Sequence, residues 1–248
     1  MARIDVDGLS IAYDLLGAGD RTAVITPGGR SSRGTPGVRA LAEALAAAGL
    51  RVLIWDRPNT GESDLCFTGE SESIRNADAL AGLLRVLGLA PALLIGGSGG
   101  ARDTLLAAIR HPGIARRLFL LWISGGAIGV TSIAYFYTHD SAFAAATGGM
   151  AAVAALPGWA EQMRRPANRE RLLAQDPQAF VATMQRWAAA FLPAPGAPMP
   201  GVSAAQLAGV TVPAMILRSG AADLHHARAT SEAVAALLPH AVLAEPPW

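Results

Sequence analysis

Ser98 sits in Gly96-Gly97-Ser98-Gly99-Gly100, preceded by the apolar run Leu93-Leu94-Ile95 and followed by Ala101, Leu105, Leu106, Ala108 and Ile109 at helical spacing. A strand, a tight turn and a helix place such a serine on a strained corner with its hydroxyl outward. The small flanking residues let strand and helix pass closely. That arrangement suits a nucleophile for acyl transfer, which also needs a base and an acid to orient it. Asp223, His225 and His226 lie together further along the chain. A glycine-rich turn also suits phosphate, but a dinucleotide fingerprint starting at Gly97 and Gly99 meets Arg102 where the third glycine belongs. The carboxylate expected about twenty residues later is absent as well: the chain there reads Arg117-Leu118-Phe119-Leu120-Leu121-Trp122.

Composition narrows the chemistry further. All 20 Lys-plus-Arg positions are arginine, which removes Schiff-base catalysis, Ser-x-x-Lys acylation and lysine-dependent phosphate loops. Cys66 is the single cysteine, so neither an internal disulfide nor a thiolate cluster forms. No group of His, Cys, Asp and Glu has metal-ligand spacing, and no cofactor is expected. A net charge of +1 with 52% hydrophobic residues indicates a folded core and no basic face for nucleic acid. Apolar runs such as Leu118 to Ser124 are too short to span a bilayer. The first residues carry no hydrophobic signal region, so a cytoplasmic enzyme with a small-molecule substrate is expected. The sequence leaves its oligomeric state open.

The elements that must position Ser98 read as an alternation. Ile4 to Leu16 forms a hairpin around Asp7-Gly8. Ala23 to Thr26 is a strand ending in Pro27-Gly28-Gly29. Pro36 to Ala48 is a helix closed by Gly49, and Arg51 to Asp56 is a buried strand. Ser71 or Ser73 caps the next helix. Arg117 to Ile123, Val212 to Leu217 and Ala241 to Ala244 supply later strands, with a helix over Thr230 to Leu238. The fold class is therefore α/β, a mainly parallel sheet flanked by helices. From about Gly129 to Leu192 the pattern is helical without strands and holds Tyr135, Tyr137, Trp159 and Trp187. The stiff stretch from Pro193 to Gly201 ends it. This predicts a core over 1–128, a helical lid and linker over 129–200, and the rest of the core over 201–248.

In this order the motifs resemble the α/β-hydrolase superfamily over nearly the whole chain. Pro27-Gly28-Gly29 stands where the family has its His-Gly-x loop. Asp56-Arg57-Pro58-Asn59-Thr60-Gly61-Glu62-Ser63-Asp64 is similar to the Asp-x-x-Gly-x-Gly-x-Ser turn, with Asn59 where glycine is usual. Arg110-His111-Pro112 closes the elbow helix, and Ser219-Gly220-Ala221-Ala222-Asp223 is similar to the Gly-x-x-Asp segment bearing the acid. The resemblance implies Ser98 as nucleophile, backbone N–H groups of Gly29 and Gly99 as the oxyanion hole, and Asp223 as the acid.

The base departs from the family pattern. It ordinarily follows the last strand, where this sequence reads only Glu245-Pro246-Pro247-Trp248. The base is then expected from His225 or His226, with His226 favoured, from His139 in the lid, or from a further C-terminal segment. His111 and His240 read as structural. Arg30 and Arg102 beside the oxyanion loop and elbow are candidates to grip a substrate carboxylate, and Arg33 reads as structural. Trp122, Tyr137, Trp159 and Trp187 are candidate pocket walls. The expected reaction is hydrolysis of an ester, lactone or activated carbonyl. The alternatives are carbon–carbon cleavage in a β-diketone-like acid and non-catalytic ligand binding.

Overall fold

The computed structural model describes residues 2–246. Asp7 and Gly8 both take positive φ, turning β1 (Ala2–Val6) back along β2 (Leu9–Leu16). β3 (Thr22–Thr26), β4 (Arg51–Trp55), β5 (Ala92–Gly97), β6 (Ala115–Leu121), β7 (Ala214–Leu217) and β8 (Ala241–Ala244) complete one sheet. Its order is β1-β2-β4-β3-β5-β6-β7-β8, antiparallel at β1–β2 and β2–β4 and parallel from β4 onward.

Alternation along each strand divides the apolar residues between two faces. Leu53, Trp55, Leu94, Leu118 and Leu120 join one core cluster with residues of α2 (Glu72–Val86), α3 (Gly99–Arg110) and α9 (Arg228–Leu237). Val52, Ile54, Ile95 and Phe119 face α1 (Pro36–Ala47) on the other side. Ser71 caps α2 through a hydrogen bond from the Ile74 N–H at 3.1 Å, as its position before the helix predicts. The short α8 (Ala204–Ala208) precedes β7 behind a Ser203–Gln206 capping box.

Between β6 and β7 the chain leaves the sheet for α4 (Gly126–Ala134), a π-helical turn over Tyr135–His139, α5 (Asp140–Ala155), α6 (Pro166–Leu173) and α7 (Pro177–Ala189). The insertion thus starts at Gly126, slightly before the position the sequence pattern suggests. It has its own apolar centre, where Met150, Trp159, Leu172, Phe180, Met184 and Trp187 pack with Leu65 and Phe67 of the 56–69 loop. No helix among the described residues is long and apolar enough to cross a membrane.

Polar straps tie the insertion to the sheet loops. Gln162 donates to the Asn59 carbonyl at 3.1 Å, Asn168 to Ser63 at 2.9 Å and the Trp187 indole to Gly69 at 3.1 Å. Asp64 receives both Arg165 and Arg171. Burial alone would raise the Asp64 carboxyl, but the Arg165 hydrogen bond, the Ser10 N–H and Arg171 outweigh it and hold it below the usual aspartate value. Asn59 adopts φ +66, a region asparagine tolerates better than most residues. Its side chain holds that conformation by accepting from the Cys66 N–H and donating to the Cys66 carbonyl and to Glu72.

Candidate active site

The register levels the parallel strands at their carboxyl ends: Gly97 pairs with Leu121, and Leu121 with Leu217. Residues just past these points converge on one edge, where open α/β sheets place their ligands. Ser98 follows β5 with φ +55 and ψ −123, a conformation a non-glycine residue holds only against about 1–3 kcal/mol of strain. Its own N–H donates to Leu121 at 2.9 Å, which pins the corner. A side chain at Gly96 would overlap the Gly100 backbone across the turn, and one at Gly100 would overlap the Thr26 and Pro27 carbonyls at the end of β3. A Cβ on Gly28 would stand 2.7 Å from the Ser98 Cβ. The close approach that the sequence reading assigned to Gly96 and Gly100 is therefore present in the structure.

The candidate base lies on the loop after β7. His226 Nε2 lies 2.8 Å from Ser98 Oγ, and its Nδ1 lies 2.8 Å from Asp223 Oδ2. With the carboxylate as acceptor, the neutral ring carries its proton on Nδ1 and presents Nε2 as an acceptor to the serine hydroxyl. Asp223 Oδ1 also accepts the backbone N–H groups of His225 at 3.0 Å and His226 at 3.1 Å. This Asx-type turn brings acid and base together although only three positions separate them. Partial burial acts to raise the Asp223 carboxyl, but His226 and the two backbone donors prevail and hold it below the ordinary aspartate value. The Ser219 hydroxyl donates to the His226 carbonyl, and His226 forms a parallel bridge with Gly125, so the loop is held from both sides.

Around the serine stand groups of different kinds. The N–H groups of Gly29 and Gly99 have no acceptor among the described residues. Gly99 opens α3, so its amide carries the positive end of the helix dipole. The Gly29 carbonyl is held by Arg57, a fully buried guanidinium that also pairs with Asp103 at 2.9 Å, and Asn76 donates to that same carboxylate. Ser124 Oγ is 3.3 Å from Ser98 Oγ. Nothing in the linear pattern singles out Ser124 or Arg57 beyond their positions after a strand end and within the 56–64 turn.

Tyr137 enters from the π-helical turn. Its hydroxyl is buried and has no partner among the described residues, 3.0 Å from where a Cβ on Gly99 would stand. Its ring stacks on Phe191 with centroids 5.8 Å apart. Burial pushes its hydroxyl above the ordinary tyrosine value, so it stays a neutral donor.

The remaining candidates sit elsewhere. His225 is exposed, with its ring outside the Ser98–His226–Asp223 chain. His139 is exposed on the insertion, and His111 pairs with Asp78 at the end of α3. Arg30, expected to be available for a carboxylate, is already engaged: it pairs with Glu72 at 2.8 Å, donates to Asn59 and Tyr137 carbonyls and lies against the Tyr137 and Trp159 rings. Arg33 is structural, bound to Asp56 and Glu62. Arg102 does not face Ser98 either; it reaches Ser73 and lies over the Phe191 ring.

Trp159 is 2% exposed and donates to Ser141. With Trp187 it belongs to the core of the insertion, packed with Met150, Leu172, Phe180 and Met184. Trp122 follows β6 half-buried with φ +49, at the sheet edge.

A mainly parallel sheet in this order, an insertion after β6 and a serine corner after β5 constitute the α/β-hydrolase fold, as the motifs led one to expect. Solved structures agree. The chain superposes on the enol-lactonase of Burkholderia xenovorans with a TM-score of 0.66 and 20% identity, covering 99% of this chain and 91% of that one. It superposes on a malate-bound thermophilic esterase of Thermogutta terrifontis with a TM-score of 0.67 and 19% identity, covering 99% and 90%. By sequence it is similar to a 2-hydroxy-6-oxononadienedioate/2-hydroxy-6-oxononatrienedioate hydrolase of Pseudomonas putida, 37% identical over 125 residues. It is also 29% identical over 121 residues to a 2-hydroxy-6-oxo-6-phenylhexa-2,4-dienoate hydrolase of Comamonas testosteroni, covering 49% of this chain and 42% of that protein. The Pseudomonas match covers 50% of this chain and 43% of the relative, so it spans less than half the length of that protein. No family model matches the chain.

Proposed function

We propose that this chain is a serine-nucleophile hydrolase acting on an ester, lactone or activated carbonyl of a small, partly apolar molecule. The observation that carries this is the unbroken chain from Ser98 Oγ through His226 to Asp223, with 2.8 Å at each step. Ser98 passes its proton to His226 Nε2 as Oγ attacks the carbonyl carbon, and Asp223 balances the imidazolium charge. The tetrahedral oxyanion is held by the N–H groups of Gly29 and Gly99, with the Tyr137 hydroxyl as a neighbouring third donor. The leaving group takes the proton from Nε2, and water then repeats the sequence to free the acid. The inserted helices act as a lid over this edge, with Tyr137 as the side chain they contribute to the reacting atoms.

A second reading rests on the relatives. Their names describe hydrolysis of 2-hydroxy-6-oxo acids, a reaction that severs a carbon–carbon bond beside a ketone. The same triad suits that chemistry, with a dienol carbanion equivalent as leaving group. The substrate carboxylate would then need a cation other than Arg30, which Glu72 already neutralises.

A fluorophosphonate probe tests the first claim. One equivalent should attach to the intact protein at Ser98, and Ser98→Ala should abolish both labelling and turnover of p-nitrophenyl esters with no loss of melting temperature. Turnover surviving in Ser98→Ala would end the covalent mechanism. Parallel assays with 2-hydroxy-6-oxo-6-phenylhexa-2,4-dienoate and with simple lactones separate the two readings by kcat/KM.

A further inference from the structure

Arg102 differs from the other deeply buried arginines. It is 3% exposed, its Nε donates to Ser73 Oγ at 2.9 Å, and its Cζ lies 4.8 Å from the Phe191 centroid. Its Nη1 is buried with no partner, and among the described residues no carboxylate lies within ion-pair distance of it. Arg57 and Arg30, by contrast, are matched by Asp103 and Glu72. A guanidinium removed from water without a counter-charge is costly, which makes the vacancy beside it a site for an anion.

Arg102 lines a cavity of about 370 Å³ between α2, α3, the end of α7 and the 194–203 linker, a volume in the range of small-molecule sites. The first turn of α2 borders the same cavity through Ser71 and Ser73. The N–H groups of Glu72 and Ser73 have no acceptor among the described residues, and the dipole of this long helix favours negative charge there. Ser73 Oγ accepts from Arg102, which leaves its own hydrogen for a ligand. The other walls are mostly apolar, with Leu106, Phe191 and Val202 facing the space. Glu70 also lines the cavity, and its charge disfavours a polyanion. Ser98, Ser124 and His226 are not among the lining residues.

We propose that this cavity is a second ligand site, separate from the serine site, for a small amphipathic monocarboxylate. The carboxylate is held by Arg102, the Ser73 hydroxyl and the amino end of α2, and an aliphatic or aromatic tail packs on Leu106, Phe191 and Val202.

Isothermal titration of the intact protein with 4-phenylbutyrate, 4-phenylbutan-1-ol and inorganic phosphate tests this. The acid should bind saturably, with the alcohol and phosphate at least about tenfold weaker, the loss expected for a charge-assisted hydrogen bond or for the tail contacts. Affinity for the acid should be unchanged after phosphonate labelling of Ser98. Arg102→Met and the cavity-filling Ala190→Trp should each weaken it at least about tenfold, and Ala190→Trp should leave the labelling rate of Ser98 unchanged. Equal binding of the alcohol would show that no anion is recognised. Equal binding of phosphate would reduce the site to an adventitious anion. Loss of binding on Ser98 labelling, with Ala190→Trp silent, would place the acid in the substrate site. No saturable heat from the acid would also overturn the proposal. If Arg102→Met fails to fold, the ligand comparison and Ala190→Trp decide. The ligand comparison and the Arg102→Met and Ala190→Trp titrations use neither turnover nor labelling, so failure of the hydrolase reading would leave them intact.

Discussion

The sheet edge around Ser98 and the helical insertion above it are built on opposite terms. The edge is polar and partly open, and its geometry is set by backbone: a strained φ at Ser98, an Asx turn at Asp223 and level strand ends. The insertion is set by side chains, with tryptophans and phenylalanines packed into a private core and arginines strapping it to the loops below. On the proposed function, chemistry depends on a few fixed backbone angles, and shape depends on many packing contacts. Substitutions at the edge should therefore change rate without changing stability, and substitutions in the insertion the reverse.

The sharpest test after Ser98 itself is the histidine pair. His226→Ala should lower kcat by about 10²–10⁴-fold, the usual contribution of a positioned base. His225→Ala should leave the rate within a few-fold, since that residue contributes its backbone N–H to Asp223 and not its ring. Comparable losses in both would erase the distinction drawn from the 2.8 Å contact. Trp159→Ala probes the other region: about 3–5 kcal/mol of stability should be lost in urea unfolding, as for other large buried aromatics. If Trp159→Ala instead raised KM without lowering stability, the ring would be a pocket wall and the contrast between the regions would fail.

Tyr137 lies where the two meet. Tyr137→Phe keeps the ring and its stacking on Phe191 but removes the hydroxyl beside Gly99. We expect about a tenfold lower kcat with KM little changed, less than the roughly 10²–10³-fold that a primary oxyanion donor contributes. Binding of a boronic acid should weaken in parallel, which a merely structural role would not produce.

The smallest effect concerns Asp64, whose carboxyl is held below its unfolded value. Its contribution is fully present above the ordinary aspartate range and is lost as pH falls through the lowered folded value. The melting-temperature gap between the protein and Asp64→Asn should be largest near neutrality and shrink in acid. A gap constant with pH would mean the Arg165 and Arg171 straps contribute no net charge pairing.

Much of the edge was legible in the sequence because backbone requirements leave a mark in residue type. Gly96 and Gly100 announce a close approach, Asp7-Gly8 a hairpin, and Ser71 a cap. His226 and Asp223 could be nominated, but nothing in a linear pattern shows that an aspartate capturing the N–H groups of residues 225 and 226 would bend the loop enough to join them. Side chains that act through packing were the least readable. Trp159 and Arg30 have the composition of ligand contacts, and only tertiary structure shows that a core and a buried glutamate claim them. Arg102 stands four residues after Ser98 in sequence, yet the turn of the helix carries its side chain toward α2.

Because Asp223 and His226 ride on one loop, the proton relay of the proposed mechanism is a portable unit. A rigid shift of residues 219–226 would separate the imidazole from Ser98 while keeping it paired with its carboxylate, so a hydrolase of this kind would disengage without stranding a charge. Where acid and base come from loops on two different strands, their spacing depends on the whole sheet. Here a single short segment carries both partners, and the strand ends need only supply the serine that meets them.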